Sequence, residues 1–233
     1  MDSASPALPH PIPDDAATRG LDVGAQSRGD LRRREILDAA FFAFGKLGYE
    51  RATLNDVARA IGVSPGTICH HFGTEVDLFE AVIADRFLRF QLEVEGLLVA
   101  HKGTYRELLH AIIGRFWDHL WEPGQLDFMM VSQVEAPQFP ESGRLQFQQT
   151  CCRSRNTLSA ILDAGIEAGE FRPMDVDCVT RIIAPAIIGI AANQNRFACY
   201  DSAPISRDQL RRTVLEFIDR AVLPFAPPPN PSS

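Results

Sequence analysis

The stretch Thr53-Leu-Asn-Asp-Val-Ala-Arg-Ala-Ile-Gly-Val-Ser-Pro-Gly-Thr-Ile-Cys-His-His-Phe72 decides how this chain is read. Thr53, with Asp56 three residues on, is an N-cap followed by an acid at N3, so a short helix begins at Leu54. Gly62 stops it, because glycine takes positive φ without steric cost. Ser64-Pro65 restarts the chain, Ser as N-cap and Pro at N1, where its missing N–H has no partner to lose. Ala58 is small where the two short helices approach, while Val57, Ile61, Val63, Ile68 and Phe72 pin the second across the first. Two short helices about a glycine-containing turn make a helix-turn-helix. Such a unit offers the N-terminal end of its second helix to the major groove. On that helix Thr67, Cys69, His70 and His71 are short or planar polar groups, and the N-terminus behind Ser64-Pro65-Gly66 favours a phosphate. The alternative is a helical hairpin inside any α-bundle.

Outward from this segment the chain reads as helix nearly throughout. From Leu31 to Leu47, Ile36, Leu37, Ala40, Phe41, Phe44 and Leu47 fall on one helical face, and Gly48 is the C-cap. Thr74 is an N-cap for the next helix, and longer helices are expected at about 75–101, 104–122, 125–135, 142–169, 175–199 and 206–223. The breaks fall at Gly103, Pro123-Gly124, Pro137 to Pro140, Gly169 to Pro173, and Pro204. No run alternates with period two, so the expected fold class is all-α. Residues 1–27 and 224–233, rich in proline, read as disordered tails. Between them we expect a helix-turn-helix domain at 28–74 and a larger helical domain at 75–223.

Composition narrows the function. The 233 residues are 45% hydrophobic, enough for a buried core. A net charge of −7, from 23 Lys and Arg against 30 Asp and Glu, argues at first against phosphate binding. Residues 28–75, however, hold seven basic and six acidic side chains, a net of +1, which leaves −8 for the rest. The acidity therefore belongs outside the helix-turn-helix. The longest apolar run, Ile182 to Ala192, is eleven residues, too short to span a bilayer, and Met1 to Pro6 carries no basic, apolar signal pattern. The five cysteines (Cys69, Cys151, Cys152, Cys178 and Cys199) are odd in number and lack ligand spacing, so reduced thiols and a cytoplasmic location are expected. Cys69, near basic residues, is the better sensor candidate than the adjacent pair Cys151-Cys152; inert thiols are the alternative. No cofactor motif, metal-ligand spacing or catalytic signature such as H-E-x-x-H or G-x-S-x-G is present, so no enzyme activity and no cofactor are expected.

Several ordered motifs together carry a resemblance. Arg33-Arg34-Glu35-Ile36-Leu37-Asp38-Ala39-Ala40, Phe44-Gly45, Gly48-Tyr49, Ala52-Thr53, Val57-Ala58, Gly62-Val63-Ser64, Gly66-Thr67-Ile68 and His71-Phe72 resemble the DNA-binding domain of the tetracycline-repressor (TetR) family over roughly residues 31–80. Glu135 to Glu141 and Ala168 to Pro173 also resemble C-terminal domains of that family, less specifically. The resemblance implies a three-helix DNA-binding domain, a helical ligand-binding and dimerisation domain, and no catalysis. It places Thr53, Thr67 and His71 at phosphate-contact positions, and Asn55, Gly66, Cys69 and His70 at base-facing ones. Asn55 pairs well with adenine, or is a surface residue of the second helix; His70 is a reader or simply a solvated histidine. Ser64 caps the helix whose N-terminus would meet a phosphate, and Arg28, Arg32, Arg33 and Arg34 form either a basic arm for the backbone or an ordinary solvated helix start. Two positions depart from the family: Cys69 stands where Tyr is usual, and Glu75 where Lys is common. Glu75 repels phosphate, or stabilises the next helix's N-terminus.

The same resemblance implies an effector site among the central helices. Candidate lining residues are Phe116, Trp117, Leu120 and Trp121, then Phe128, Met129, Met130 and Gln133, and further on Phe147 and Cys152. They mix large apolar surface with flexible thioethers and polar handles, as pockets do; ordinary core is the alternative reading. A homodimer is expected through the helices at about 175–199 and 206–223, where Ile182 to Ile190 offers small residues for close approach and Pro185 a kink. The whole reads as a ligand-responsive regulator, a repressor released from a palindromic double-stranded DNA operator by a small hydrophobic molecule. The competing reading is a small-molecule-binding protein of the same fold with weakened or lost DNA recognition, motivated by Cys69 and Glu75.

Overall fold

The computed structural model describes residues 28–135, 138–197 and 205–224. Residues 1–27, the end of the chain beyond Pro224, Cys199, and the breaks at Pro137 and Pro204 lie outside these. The described residues form nine helices and no strand: α1 (Arg28–Leu47), α2 (Leu54–Ile61), α3 (Pro65–Phe72), α4 (Glu75–Ala100), α5 (Tyr105–Leu120), α6 (Gln125–Glu135), α7 (Glu141–Glu167), α8 (Val176–Phe197) and α9 (Arg207–Val222). The all-α expectation holds, with boundaries within three residues of those read from the sequence. Helix α1 begins three residues early, at Arg28.

Local chemistry sets these boundaries. Thr53, Thr74 and Thr104 each close a reciprocal capping box, with Asp56, Asp77 and Glu107 at N3. Gly62 ends α2 in the left-handed region at φ 67°, and nothing lies within 4 Å of where a Cβ would stand. Backbone conformation rather than space therefore requires glycine there. Gly48, at φ 87°, needs both, because a Cβ would meet the Glu135 carboxylate that accepts from the Tyr49 N–H. This contact ties the end of α1 to the end of α6.

Side chains gather into two cores. The first joins one face of α1 (Ile36, Leu37, Ala40, Phe41, Phe44) to Val57, Ala58 and Ile68, and to the opening turns of α4 through Leu78, Phe79, Val82 and Ile83. It also takes Phe128 from α6, and Gly45 lets that backbone come close. The second core packs α5 against α7, α8 and α9, with Leu108, Leu109, Trp117, Ile161 and Leu162 at its centre. Asp219 on α9 takes hydrogen bonds from Arg106 Nη2 at 2.6 Å and His110 Nε2 at 2.7 Å, fastening α9 to α5.

Helix α8 corrects one expectation. Although its longest apolar run is short, the helix runs 22 residues and continues through Pro185, so it is long and apolar enough to cross a membrane by length and composition alone. Here it packs on α7, α5 and α6 through Ile183, Ile187, Ile188, Ala191 and Ala192. Proline at 185 leaves the Arg181 carbonyl without its usual i+4 donor. On the opposite side Ile182, Pro185, Ala186, Gly189 and Ile190 form an exposed stripe, with Ile182 at 60% exposure. On α9 Phe217 is similarly bare at 66%.

Candidate functional site

Helix α3 projects from the first core with little holding it. Its only fully buried side chain is Ile68, a contact worth about 2 kcal/mol. Caps and an arginine supply the rest. Ser64 Oγ accepts from the Thr67 N–H at 3.2 Å and lies 3.0 Å from Thr67 Oγ1. At the other end Arg33 places its guanidinium over the Phe72 ring, 4.2 Å from the centroid, and reaches the His71 carbonyl at 3.5 Å. A cation there faces the negative end of the α3 dipole. Phe72, expected in the core, is half-buried beneath this arginine.

The residues expected to face DNA divide by what already occupies them. Asn55, Ser64, Gly66, Cys69 and His70 are exposed, while Thr53, Thr67 and His71 are half-buried. A Cβ at Gly66 would meet only Ser64 Oγ at 3.7 Å, so nothing within the chain demands glycine there. Thr53 Oγ1 donates to Asp56 Oδ2 at 2.6 Å, which leaves it no proton for a phosphate. Hydrogen bonds from Thr53 hold the Asp56 carboxyl below its ordinary value. In the basic arm Arg28 is exposed, Arg32 pairs with Glu35 at 2.7 Å, and Arg33 is engaged as described. The arm is therefore partly committed to holding α1 and α3.

Glu75 stands where it stabilises helix N-termini. It stands in the first turn of α4, and its Oε1 accepts from the Leu54 N–H at 3.2 Å. One carboxylate thus serves the N-termini of α4 and α2 and occupies an anion position at the start of α2.

A cavity of about 500 Å³ opens between α4, α5, α6, α7 and α8. From α4 it takes Ile83, Arg86, Phe87, Phe90, Gln91 and Val94, one stripe at helical spacing. Of the residues expected to line it, Phe116, Phe128, Met129, Gln133 and Phe147 do so. Trp117, Leu120, Trp121, Met130 and Cys152 do not. The reason is angular: successive helical residues turn by about 100°, so Trp117 faces away when Phe116 faces in. Trp117 and Leu120 are instead core at 1% exposure, and Trp121 lies under Arg207 of α9. Likewise Cys151 lines the cavity, and Cys152 accepts from Arg155 Nη2 at 3.1 Å.

Apart from Gln133, sequence reading missed the polar side of the cavity. His119 stacks on Phe90, with centroids 4.8 Å apart, and its Nδ1 lies 3.0 Å from Glu122 Oε2. Burial pushes its pKa down, against the pull of Glu122. Ser132 is 2% exposed, and its hydroxyl has no partner among the described residues. Gln91 and Ser132, polar residues in buried registers, were the available signal; Arg86 had none, because its partner Asp38 lies 48 positions away. Among the described residues no group of acids, histidines and cysteines is arranged to hold a metal ion. Cys69, Cys151, Cys152 and Cys178 are free thiols.

Comparison with known proteins agrees with this geometry. Residues 36–82 match the family of bacterial regulatory proteins, tetR family, and residues 107–222 match the AefR-like transcriptional repressor C-terminal domain. The HTH-type transcriptional regulator BetI of Escherichia coli is 35% identical over 97 residues, 41% of this chain and 48% of that protein. The chain thus spans about half the length of the curated relatives it matches. A transcriptional regulator from Saccharomonospora viridis in complex with choline superposes with a TM-score of 0.71 at 20% identity, covering 84% of this chain and 99% of the other. The ketosteroid transcriptional regulator KstR2 of Mycobacterium tuberculosis gives 0.66 at 20% identity, covering 83% and 96%. These structural likenesses establish the shared fold. With a helix-turn-helix face at one end, a helical second domain behind it and both family models matched in order, the chain belongs to the TetR family of DNA-binding transcriptional regulators, a non-enzymatic family.

Proposed function

We propose that the protein is a repressor that leaves a palindromic operator when a small, largely apolar effector fills the cavity between α4 and α8. Residues 28–74 read DNA through α3, Asn55 and the arginine arm, and residues 75–223 hold the effector and dimerise. The observation that carries this is the double service of α4 and α6. Both pack against α1, and both line the cavity. On α6, Phe128 sits in the first core while Met129, Ser132 and Gln133 face the cavity. A ligand that favours one placement of α6 therefore shifts α1 by linkage. The exposed stripe of α8, together with Phe217 on α9, is the surface for a two-fold homodimer, which would place two α3 helices on successive half-sites. A soluble regulator of this kind works in the cytoplasm, beside the DNA.

Titration of fluorescent duplex containing the DNA upstream of the gene is the test, against random duplex at several salt concentrations. Specific, salt-sensitive binding supports the reading; no preference at any salt overturns it. The second reading, an effector-binding protein with weakened DNA recognition, is favoured by Glu75 at the start of α2. It predicts that Cys69→Tyr combined with Glu75→Lys creates operator affinity that the starting protein lacks.

A further inference from the structure

The charge of the cavity wall is one-sided. Arg86, Arg155 and Arg181 line it and no Asp or Glu does; Arg86 pairs with Asp38 and Arg181 with Asp177 from outside the wall, and burial pushes the His119 pKa down. Two residues of this wall each carry a buried donor with no hydrogen-bond partner among the described residues: Arg86 through Nε and Ser132 through its hydroxyl. An unpartnered arginine N–H can only donate, so it requires an acceptor. From Arg86 the apolar stripe runs on through Phe87, Phe90 and Val94, about 12 Å along α4. We propose, resting on the effector reading above, that the occupant is an elongated apolar monoanion of the carboxylate class, its head group accepting from Arg86 Nε and Ser132 Oγ and its chain lying along that stripe. A quaternary ammonium of the kind bound by the Saccharomonospora viridis protein finds no counter-ion on this wall.

Arg86 also places the head group at the joint between the two cores. Its Nη2 donates to Asp38 of α1, and its guanidinium lies over Phe41, 3.9 Å from the ring centroid. A carboxylate on Nε and Asp38 on Nη2 would share one guanidinium and repel each other, so effector binding and the α1–α4 contact are linked. Removing the Asp38 charge should therefore tighten effector binding.

Calorimetric titration of the full chain with decanoate, 1-decanol and decyltrimethylammonium, all below micellar concentrations, tests this. Decanoate should bind at least tenfold more tightly than either other probe. Arg86→Gln should collapse the ratio of decanoate to decanol affinity toward one, and Asp38→Asn should raise decanoate affinity severalfold. Should Arg86→Gln fail to fold, Ser132→Ala, a nearly isosteric change, must still reduce decanoate binding about fivefold and decanol binding less. Equal or tighter binding of the ammonium, no binding of any probe, or a ratio unmoved by the variants overturns the proposal. Operator binding by fluorescence anisotropy is read separately. Its absence beside intact decanoate selectivity counts against the DNA reading alone, and intact operator binding without that selectivity counts against the ligand class alone.

Discussion

Glu75→Lys should strengthen DNA binding while weakening the fold. In the free protein Glu75 accepts from the Leu54 N–H and stands in the first turn of α4, so it is an acid at the start of two helices. Taking a separation of about 6 Å between this carboxylate and a DNA phosphate, Coulomb repulsion in water is about 0.7 kcal/mol. For the proposed dimer on two half-sites that doubles to about 1.4 kcal/mol, roughly tenfold in affinity. Glu75→Gln removes this repulsion, and Glu75→Lys turns it into attraction of similar size, roughly a hundredfold in all at low salt. Near physiological salt, with a Debye length of about 8 Å, around half of each energy remains, or about threefold and tenfold. The same change deprives α2 and α4 of a favourable charge, at a cost of about 1 kcal/mol and a fall in Tm of about 2–4 °C. Fluorescence anisotropy with operator and random duplexes between about 50 and 200 mM salt reads the binding, and the log–log salt slope should steepen by about two per dimer. If Gln and Lys both weaken binding, Glu75 serves to position α2 and the electrostatic reasoning fails. An affinity gain that does not shrink with salt would refute it equally.

Other perturbations probe the remaining joints. Ile68→Ala removes the one fully buried side chain of α3 and should cost about 2–4 kcal/mol in denaturant unfolding, with operator binding lost first. Ser64→Ala removes the α3 N-cap and should cost about 1 kcal/mol, seen as faster amide exchange in residues 66–68. Burial alone would raise the Asp219 carboxyl, but hydrogen bonds from Arg106 and His110 outweigh it and hold the pKa below the ordinary value. A depressed folded pKa means that the stabilisation is present above the unfolded value, about 4, and is lost as pH falls through the folded value. Asp219→Asn should therefore lower stability by about 1–2 kcal/mol at pH 7, and the gap to the parent should close below about pH 4 in urea melts. Ile182→Asp combined with Phe217→Asp should convert a dimer to a folded monomer in light scattering; a dimer that survives both charges rules out α8 and α9 as the interface.

The first domain was legible residue by residue because its determinants are local. Caps at Thr53, Ser64 and Thr74 and the positive-φ Gly62 act within four positions of themselves, so the order of residues alone sets where α2, α3 and α4 begin and end. The helical stripes of α1 and α9 are legible for the same reason, since a period of 3.6 residues is written in the chain. Periodicity says which residues share a face and is silent on what the face meets. Phe116 and Trp117 are both large and apolar, yet about 100° of rotation puts one on a cavity and the other in the core. Arg33 reads in sequence as part of a basic arm, and only folding brings Phe72 and the His71 carbonyl beneath it. Arg86 carries no local signal at all, because Asp38 and Phe41 reach it from another helix across a long loop closure. The sequence by itself determined an all-helical chain with a helix-turn-helix near its start, through interactions spanning one helical turn. Tertiary structure decided the cavity, its arginine-lined wall and its connection to α1, because a cavity is a property of five helices packed together and belongs to none of them singly.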